Sequence, residues 1–327
     1  MIDREALEAR ALFLRTIRDW MHREGFLEVE TPTLFGAPGL NPHIAELDTR
    51  YRELRRERRL WLRTSPEVFH KRLLAAGVPR LYELGRFFRN GEHGPLHNPE
   101  FTGLEFYEAG HDYRRIMERT EAVLSAAMRA VAGKDRLGEV SLALPWGRMS
   151  VAEAFQRYAG VPLAFERDAL AGAAEKIGIA VRADDAYDDV FFRILLEKVE
   201  RRLGERAPVF LYDYPASMGV MARKKPGDPR FAERVELYIG GVELANGFSE
   251  LTDPAEQRAR LVADRKVVAA KEGMAEDSLP LDEGFLAALA RMPPSTGIAI
   301  GLDRVLMLAL GKRELSEVLA FPFEPPG

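Results

Sequence analysis

Two adjacent glycines within an alternating segment constrain the fold of this 327-residue chain more than any other feature. The segment RVELYIGGVELANGF, residues 234–248, alternates apolar and polar side chains on either side of Gly240 and Gly241. This pattern predicts a β-hairpin with a two-residue turn, and a turn of that length fixes how the two strands pair. In the predicted register Glu236 lies opposite Ala245.

Two acidic side chains of this hairpin fall on one face. Because side chains alternate along a strand, Glu236, Tyr238 and Glu243 share a face, and the two carboxylates are diagonal neighbours about 7–8 Å apart. The opposite face is predicted to be core, formed by Val235, Leu237, Ile239, Val242 and Leu244. Carboxylates at this distance repel each other unless a cation lies between them. A Mg²⁺ ion that also binds phosphate oxygens of a nucleotide would supply this cation. The alternative is an ordinary solvated strand face.

The remaining secondary structure predicts an α+β fold. Residues 80–89 and 100–107 alternate in the same way and are joined by a polar loop, which indicates a second long hairpin. Periodicity and capping signals predict helices near the N-terminus, after Ser65, after Asp112 and at the C-terminus, and residues 150–205 are mostly helical. Antiparallel hairpins with helices between and after them favour an antiparallel β-sheet flanked by helices.

Composition and missing motifs narrow the chemistry. The chain has 47 Lys and Arg against 51 Asp and Glu, which excludes a protein that wraps nucleic acid through an overall positive charge. It contains no Cys, which excludes disulfides and cysteine nucleophiles. We expect a cytoplasmic protein with no membrane partner, because neither an export signal nor an apolar run of about 18 residues is present. The phosphate-binding loops of parallel sheets are also missing, so a nucleotide site would use side chains on an antiparallel sheet.

The first hairpin carries side chains suited to a nucleotide. Arg89 ends one strand, His97 lies in the connecting loop, and Phe101 begins the return strand. A guanidinium group is a planar fork donor that matches phosphate oxygens, His adds a further donor, and an aromatic ring can stack on a base. The alternative is that these are ordinary surface side chains.

Five separated segments together resemble a known family. EGFLEVETP, TSPE, FRN followed by HNPEFTGLEFY, RVELYIGGVELANGFSELTD and GIAIGLDR occur in the order of the class II aminoacyl-tRNA synthetase motifs. They are most similar to lysyl-tRNA synthetases, and the resemblance runs from about residue 10 to residue 320. It implies a single class II catalytic domain over residues 1–327, with residues 140–208 as a helical region within it.

Two differences from lysyl-tRNA synthetases indicate the subfamily. The catalytic motifs begin at once, without a preceding anticodon-reading domain, and Ala299 stands where lysyl-tRNA synthetases have Gly. Both features resemble the elongation factor P–(R)-β-lysine ligase family. The resemblance implies ATP-dependent activation of lysine or (R)-β-lysine as an aminoacyl-adenylate, followed by transfer to a lysine of elongation factor P. It also implies Mg²⁺ and a homodimer, and tRNA is not an expected partner.

The resemblance assigns site residues by position. Arg89 and Arg304 are the expected catalytic residues, and Glu236 and Glu243 the expected magnesium ligands. The expected ATP site comprises Arg89, Asn90, Gly91, Glu92, His97, Phe101, Glu236, Leu237, Gly301 and Arg304. The expected amino-acid site comprises Ser65, Pro66, Glu67, Asn98, Tyr107, Glu243, Asn246, Glu250 and Ala299.

Three positions carry specific expectations. Glu250 with the Tyr107 hydroxyl suits the ε-ammonium of lysine. The methyl group of Ala299 narrows the pocket by about one methylene, which shifts selectivity by roughly 1–3 kcal/mol and by resemblance favours β-lysine. The family has Glu where this chain has Gly91, so Glu92 or a main-chain group would make the adenine contact.

Two other functions stay open from the sequence. The first is a truncated synthetase paralogue that makes lysyl-adenylate for a different acceptor, such as a tRNA, a lipid or a small molecule. The second is a non-catalytic amino-acid-binding regulator on the same fold. The intact motif arginines and the acidic pair count against the second.

Overall fold

The computed structural model describes residues 3–219 and 221–325. The strands are Leu27–Glu28 (β1), Leu34–Phe35 (β2), Asp48–Glu53 (β3), Arg56–Leu62 (β4), Arg80–Phe88 (β5), Glu100–Ala109 (β6), Arg136–Leu137 (β7), Val140–Ser141 (β8), Gly147–Ser150 (β9), Val209–Pro215 (β10), Phe231–Ile239 (β11), Val242–Ser249 (β12) and Ser295–Gly301 (β13). The α-helices are Arg4–Arg23 (α1), Glu67–Ala75 (α2), Tyr113–Ala132 (α3), Val151–Ala154 (α4), Arg167–Lys176 (α5), Tyr187–Ile194 (α6), Pro254–Glu272 (α7), Glu283–Leu289 (α8) and Leu302–Ala309 (α9). Short π-helical and 3₁₀ segments are Phe155–Ala159, Leu195–Val199, Glu200–Arg202, Ala216–Met218, Glu276–Ser278 and Leu315–Glu317.

An eight-stranded sheet organises the molecule and confirms the predicted α+β class. Its strand order is β1-β5-β6-β13-β12-β11-β10-β9. The central pairs are antiparallel, as the two predicted hairpins require. The outermost pairs, β1 with β5 and β10 with β9, are parallel, so the sheet is mixed rather than wholly antiparallel.

The hairpin of β11 and β12 contains a β-bulge that the alternation pattern did not predict. Tyr238 faces Glu243 as predicted, but Glu236 faces Asn246 instead of Ala245 because the register shifts by one residue between Leu237 and Tyr238. A bulge inserts one extra residue into one strand, here on β12. The shift leaves Glu236 and Glu243 on the same face and adds Asn246 to that face.

One face of the sheet is covered by helices along its length. Phe13 of α1, Val123 of α3 and Val305 of α9 pack with Phe106 and Leu237 of the sheet in one continuous apolar cluster. These side chains are almost completely buried, and full burial of one such side chain stabilises the fold by about 2–3 kcal/mol. This packing therefore holds β6, β11, β12 and β13 side by side.

Among the described residues, two apolar clusters cover the ends of the other face. At one end the helical segments of residues 151–203 pack around Phe191 and meet the sheet at Leu211 and Tyr238. At the other end α2, α7 and α8 pack with Tyr107. The middle of this face stays open, and its polar side chains line a cleft. None of the helices that the structure describes is long and apolar enough to cross a membrane.

A buried carboxylate outside the cleft ties α3 to the sheet. Glu108 on β6 is 1% exposed and accepts from Arg119 Nε of α3 at 3.0 Å, while Arg80 Nε lies 2.9 Å away. Burial raises the pKa of Glu108, but the hydrogen bond and charge of Arg119, followed by the charges of Arg80 and Arg115, outweigh it and hold the pKa below its usual value. The ionised carboxylate therefore stabilises the fold.

We expect Glu108→Gln to lower the free energy of unfolding by about 2 kcal/mol at pH 7, because charge-assisted hydrogen bonds become neutral ones. A depressed pKa contributes stability that is complete above the ordinary carboxyl pKa and is lost as the pH falls through the folded-state value. The difference between the two proteins should therefore shrink below about pH 4. Urea unfolding at several pH values measures this, with the exposed Glu118→Gln as control. An equal difference at pH 7 and pH 3 would contradict the prediction.

Candidate active site

Most of the predicted site residues meet in the open cleft, which has a volume of about 980 Å³. Those lining it are Ser65, Glu67, Arg89, Glu92, His97, Asn98, Phe101, Tyr107, Glu236, Glu243, Asn246, Ala299, Gly301 and Arg304. Pro66, Asn90, Gly91, Leu237 and Glu250 do not line it. Two hairpins and the N-terminus of α2 thus converge on one cleft.

Local structure explains why three of the predicted residues do not line the cleft. The side chain of Leu237 is completely buried in the core on the opposite face of the sheet. The main-chain N–H of Asn90 donates to the carbonyl of Ala45, and Gly91 turns the chain with a positive φ of 74°. That turn brings Glu92, the next residue, to the cleft.

Glu236 is held by neighbouring side chains. Arg234 Nη2 donates to Glu236 Oε1 at 2.5 Å, and the Tyr238 hydroxyl donates to Oε2 at 2.7 Å. The Tyr214 hydroxyl also donates to Oε2, and Arg234 Nε donates to Asn246 Oδ1 at 3.2 Å. Two donors occupy the lone pairs of Oε2, whereas Oε1 accepts from one and retains acceptor capacity. Glu236 is therefore a fixed carboxylate with one oxygen able to contact a cation.

Glu243 completes the acidic pair. Burial, followed by the negative charge of Glu236, raises the pKa of Glu243 to about 7. A divalent cation between the two carboxylates would relieve their repulsion, and carboxylate oxygens are ligands that Mg²⁺ prefers. Within residues 3–219 and 221–325, no group of three or more His, Asp or Glu side chains could hold a metal. The residues thus fit a Mg²⁺ ion that takes its remaining ligands from water and a substrate phosphate, which is the usual way Mg²⁺ is bound.

The first hairpin contributes Arg89 and His97 to the same cleft. The Arg89 guanidinium lies 5.2 Å from the centre of the Phe101 ring, and its Nη1 donates to Glu92 Oε1 at 3.4 Å. Burial, followed by the positive charge of Arg304, lowers the pKa of His97 below its usual value. His97 is therefore neutral at pH 7 and can donate one hydrogen bond without adding charge.

Arg304, in the first turn of α9, joins the two hairpins. Its Nε donates to the carbonyl of Leu96 in the first hairpin loop at 2.9 Å, and its Nη1 donates to the carbonyl of Glu243 at 2.9 Å. The guanidinium group is thereby fixed between the loop and β12. It supplies positive charge to the same end of the cleft as Arg89.

Glu105, which the sequence reasoning missed, forms part of the cleft floor. Its Oε2 accepts from the Ser65 hydroxyl at 2.7 Å, and its Oε1 accepts from the Tyr107 hydroxyl at 2.8 Å. Burial, followed by the negative charge of Glu67, raises the pKa of Glu105 to about 8. A cation at this floor would stabilise the ionised form.

Glu250, which the resemblance joins with the Tyr107 hydroxyl as a contact for the substrate ammonium group, does not line the cleft. Glu250 lies beneath the floor, where Lys71 Nζ of α2 is 2.7 Å from its Oε2. The same Nζ is 2.6 Å from Glu67 Oε1. The Tyr107 hydroxyl is within reach of Glu105 instead, because both side chains project from the same face of β6. Lys71 is a second residue that the sequence reasoning missed.

Simple periodicities could have found the missed residues. Glu105 lies two residues before Tyr107 on one strand, so both share a face. Lys71 follows Glu67 by four residues on a helix, the spacing of an ion pair. Arg234 lies two residues before Glu236.

The floor between Asn246 and Glu105 is formed by β13. Ala299 pairs with Asn246 on one side and with Glu105 on the other, so its methyl group projects from the same face. Gly297 pairs with Tyr107, and a Cβ atom at Gly297 would overlap the Tyr107 ring. The absence of a side chain there permits the position of the Tyr107 ring.

Comparisons with known proteins show to which class of protein this chain belongs. The family model for tRNA synthetases class II (D, K and N) matches residues 3–325. The fold is therefore that of a class II tRNA synthetase, as the order of the motifs predicted.

Individual relatives show to which family within this class the chain belongs. The chain is 40% identical to a protein of Vibrio cholerae named elongation factor P–(R)-β-lysine ligase, over 97% of this chain and 95% of the relative. It is 40% identical to a protein of the same name from Edwardsiella ictaluri, over 95% and 93%. A protein of Magnetococcus marinus named lysine–tRNA ligase is 39% identical over 98% of this chain but only 64% of the relative. The chain belongs to the family of the elongation factor P–(R)-β-lysine ligases, which confirms the predicted resemblance.

We expect the Glu243 carboxyl to titrate near pH 7 and its pKa to fall in Glu236→Gln, because that substitution removes a neighbouring negative charge. The measurement is a ¹³C NMR titration of selectively labelled Glu side chains, assigned with the Glu243→Gln variant. Glu92→Gln serves as control and should leave the Glu243 titration unchanged. A Glu243 midpoint near pH 4 in the unsubstituted protein, or a midpoint that Glu236→Gln leaves unchanged, would contradict the prediction.

Proposed function

We propose that this protein activates lysine or (R)-β-lysine with ATP and transfers the aminoacyl group to a lysine side chain of elongation factor P. One observation carries the proposal. A single cleft joins a cationic end, formed by Arg89 and Arg304, to an acidic floor suited to a diamino acid. The similarity over nearly the whole chain to proteins named elongation factor P–(R)-β-lysine ligase supports the acceptor.

The first step forms an aminoacyl-adenylate. A carboxylate oxygen of the amino acid attacks the α-phosphorus of ATP, a P–O bond forms, and the bond to the β-phosphate bridge breaks so that pyrophosphate leaves. Arg89 neutralises charge on the α-phosphate and orients the attacking carboxylate. Phe101 and Arg304 hold the adenine between them. Mg²⁺ at Glu236 and Glu243 would neutralise charge on the phosphates when bound.

The second step transfers the activated group. The ε-amine of the acceptor lysine attacks the acyl carbon, an amide bond forms, and the bond to the phosphate oxygen breaks so that AMP leaves. The amine loses a proton in this step. No nucleophile from the enzyme is required, which fits a chain without Cys.

The acidic floor recognises the amino groups of the substrate. Glu67 and Glu105 line the cleft, and Glu250 lies below them. An uncharged side chain would leave buried carboxylates without a partner, which disfavours its binding strongly. Asn98 and Asn246 orient the substrate, and Ala299 limits the depth of the pocket.

A second candidate function is transfer of lysine to tRNA. It is supported by the 39% identity to a protein named lysine–tRNA ligase over 98% of this chain. Both candidates share the adenylation step and differ only in the acceptor. The experiment must therefore test the two steps separately.

We also propose that the protein forms a homodimer. The family resemblance implies that α1 and the strand that follows it form the dimer interface. Leu27 on the edge strand β1 is 56% exposed and Leu34 on β2 is 46% exposed. Exposed apolar side chains near a sheet edge fit a protein interface. Light scattering should give twice the chain mass, and Leu27→Arg should lower it towards the monomer. A single-chain mass for the unsubstituted protein at micromolar concentration would overturn the proposal.

The adenylation step is tested by ATP–pyrophosphate exchange. We expect exchange that depends on lysine or (R)-β-lysine and that falls by more than about 100-fold in Arg89→Ala, because charge stabilisation at the reacting phosphate is lost. The exposed Arg129→Ala is the matched control. Mass spectrometry then shows whether elongation factor P or tRNA gains the aminoacyl group. No exchange with either amino acid would indicate a non-catalytic binding protein, and a charged tRNA with an unmodified factor would favour the second candidate.

The Ala299→Gly variant tests the choice between the two amino acids. Removing the methyl group should shift the ratio of kcat/KM towards α-lysine by roughly 5- to 150-fold, the equivalent of about 1–3 kcal/mol. The same exchange assay with both amino acids measures this ratio. An unchanged ratio would mean that Ala299 is simply a small residue in a packed strand.

A further inference from the structure

A completely buried lysine of the protein itself lies directly beneath the amino-acid site. Lys71 Nζ lies between Glu67 Oε1 at 2.6 Å and Glu250 Oε2 at 2.7 Å, and its side chain is 0% exposed. The Met221 sulfur lies 3.4 Å from the same nitrogen, and the Phe285 ring lies 5.9 Å from it. A buried ammonium group with this apolar surrounding is stable only because the two carboxylates compensate its charge.

The charges around Lys71 balance within the protein only while two of the neighbouring carboxyl groups are protonated. Glu67, Glu105 and Glu250 supply three carboxylates, and Lys71 supplies one ammonium group. Burial raises the pKa of both Glu105 and Glu250 to about 8, which is the response of carboxyl groups that lack sufficient positive charge nearby. Lys71 and the main chain of Gly297 both compensate Glu250, but they do not outweigh the effects of burial and of the Glu67 charge on its pKa.

The other charged groups that border this cluster form a balanced set of their own. Arg63 Nη1 donates to Glu83 Oε1 at 2.5 Å, and Glu83 Oε2 accepts from the Thr31 hydroxyl at 2.8 Å. His70 lies between Glu83 and Glu105, and burial lowers its pKa so that it is neutral at pH 7. When all three of its carboxyl groups are ionised, the cluster therefore lacks two positive charges.

We propose that Lys71 is a specificity-determining residue that sets this deficit at two, so that an amino acid with two ammonium groups completes the charge balance. The inference rests on the proposed function and deepens it. Lys71 cancels one of three carboxylates. The remaining two match the two amino groups of lysine or of (R)-β-lysine, whose carboxylate is held separately by Arg89. A substrate with one ammonium group leaves one carboxylate unpaired or protonated.

The charge balance predicts that Lys71→Met restores part of the substrate preference that Glu250→Gln removes. Glu250→Gln removes one negative charge and leaves Lys71 in place, so a single ammonium group then completes the balance. The preference for lysine over 2-aminohexanoate, which lacks the terminal ammonium group, should fall by about 100-fold. Adding Lys71→Met restores the deficit of two and should recover at least tenfold of that preference.

The measurement is kcat/KM for both amino acids in pyrophosphate exchange, supported by calorimetric binding without ATP. The control pairs Glu250→Gln with Lys134→Met, an exposed lysine, and should give no recovery. The double variant has one buried carboxyl group fewer than Lys71→Met alone, so it keeps the test decisive if Lys71→Met alone does not fold. Thermal unfolding verifies that each variant is folded.

A purely structural role for Lys71 predicts the opposite result. In that case the second substitution adds to the damage, and the double variant is equal to or worse than Glu250→Gln. That outcome overturns the role of Lys71 while lysine-dependent exchange by the unsubstituted protein still stands. Absence of exchange and of binding with any diamino acid would instead remove the proposed function, and this inference with it.

Discussion

The open face of the sheet depends on the compensation of buried carboxylates. Glu105, Glu236 and Glu250 are each at most 3% exposed, and all lie within or directly below one cleft. An ionised carboxylate without a partner costs several kcal/mol in such a place, so each position requires donors or cations. Glu236 obtains them from Arg234 and two tyrosine hydroxyls within the protein. The group at Glu105 and Glu250 does not obtain enough of them, which leaves this part of the cleft suited to a substrate that carries ammonium groups.

The architecture makes such a surface possible. Helices α1, α3 and α9 bury one face of the sheet and supply most of the apolar packing, so the opposite face does not have to contribute a continuous core. Two further helical clusters cover only the ends of that face. The bulge in β12 then places Asn246 beside Glu236. Without the bulge, regular alternation would turn the Asn246 side chain towards the core. Rigid packing on one side thus permits dense polar chemistry on the other.

The sequence predicted features that depend on local periodicity and failed where contacts cross between elements. Alternation placed Glu236 and Glu243 on one face, and the motif order brought Arg89 and Arg304 towards the same cleft. The bulge was not predicted, because the sequence around Leu244 carries no signal that distinguishes it from a regular strand. The contact of Glu250 with Lys71 was not predicted, because Lys71 lies on a helix almost 180 positions away in the chain and only the fold brings the two together. Glu105 was overlooked although its spacing from Tyr107 was readable.

Under the proposed function, two kinds of selectivity act with unequal strength. Three carboxylates, of which Lys71 compensates one, distinguish a substrate with one ammonium group from a substrate with two. A substrate with only one leaves a buried carboxylate unpaired, so this discrimination is strong. The same count treats α-lysine and β-lysine alike, because both carry two ammonium groups. Only the shape of the pocket can separate the two isomers, and the Ala299 methyl group offers about one methylene of difference, which corresponds to a shallow preference. An enzyme of this design rejects non-basic amino acids strongly, whereas its choice between lysine isomers depends on steric fit and on which isomer is abundant.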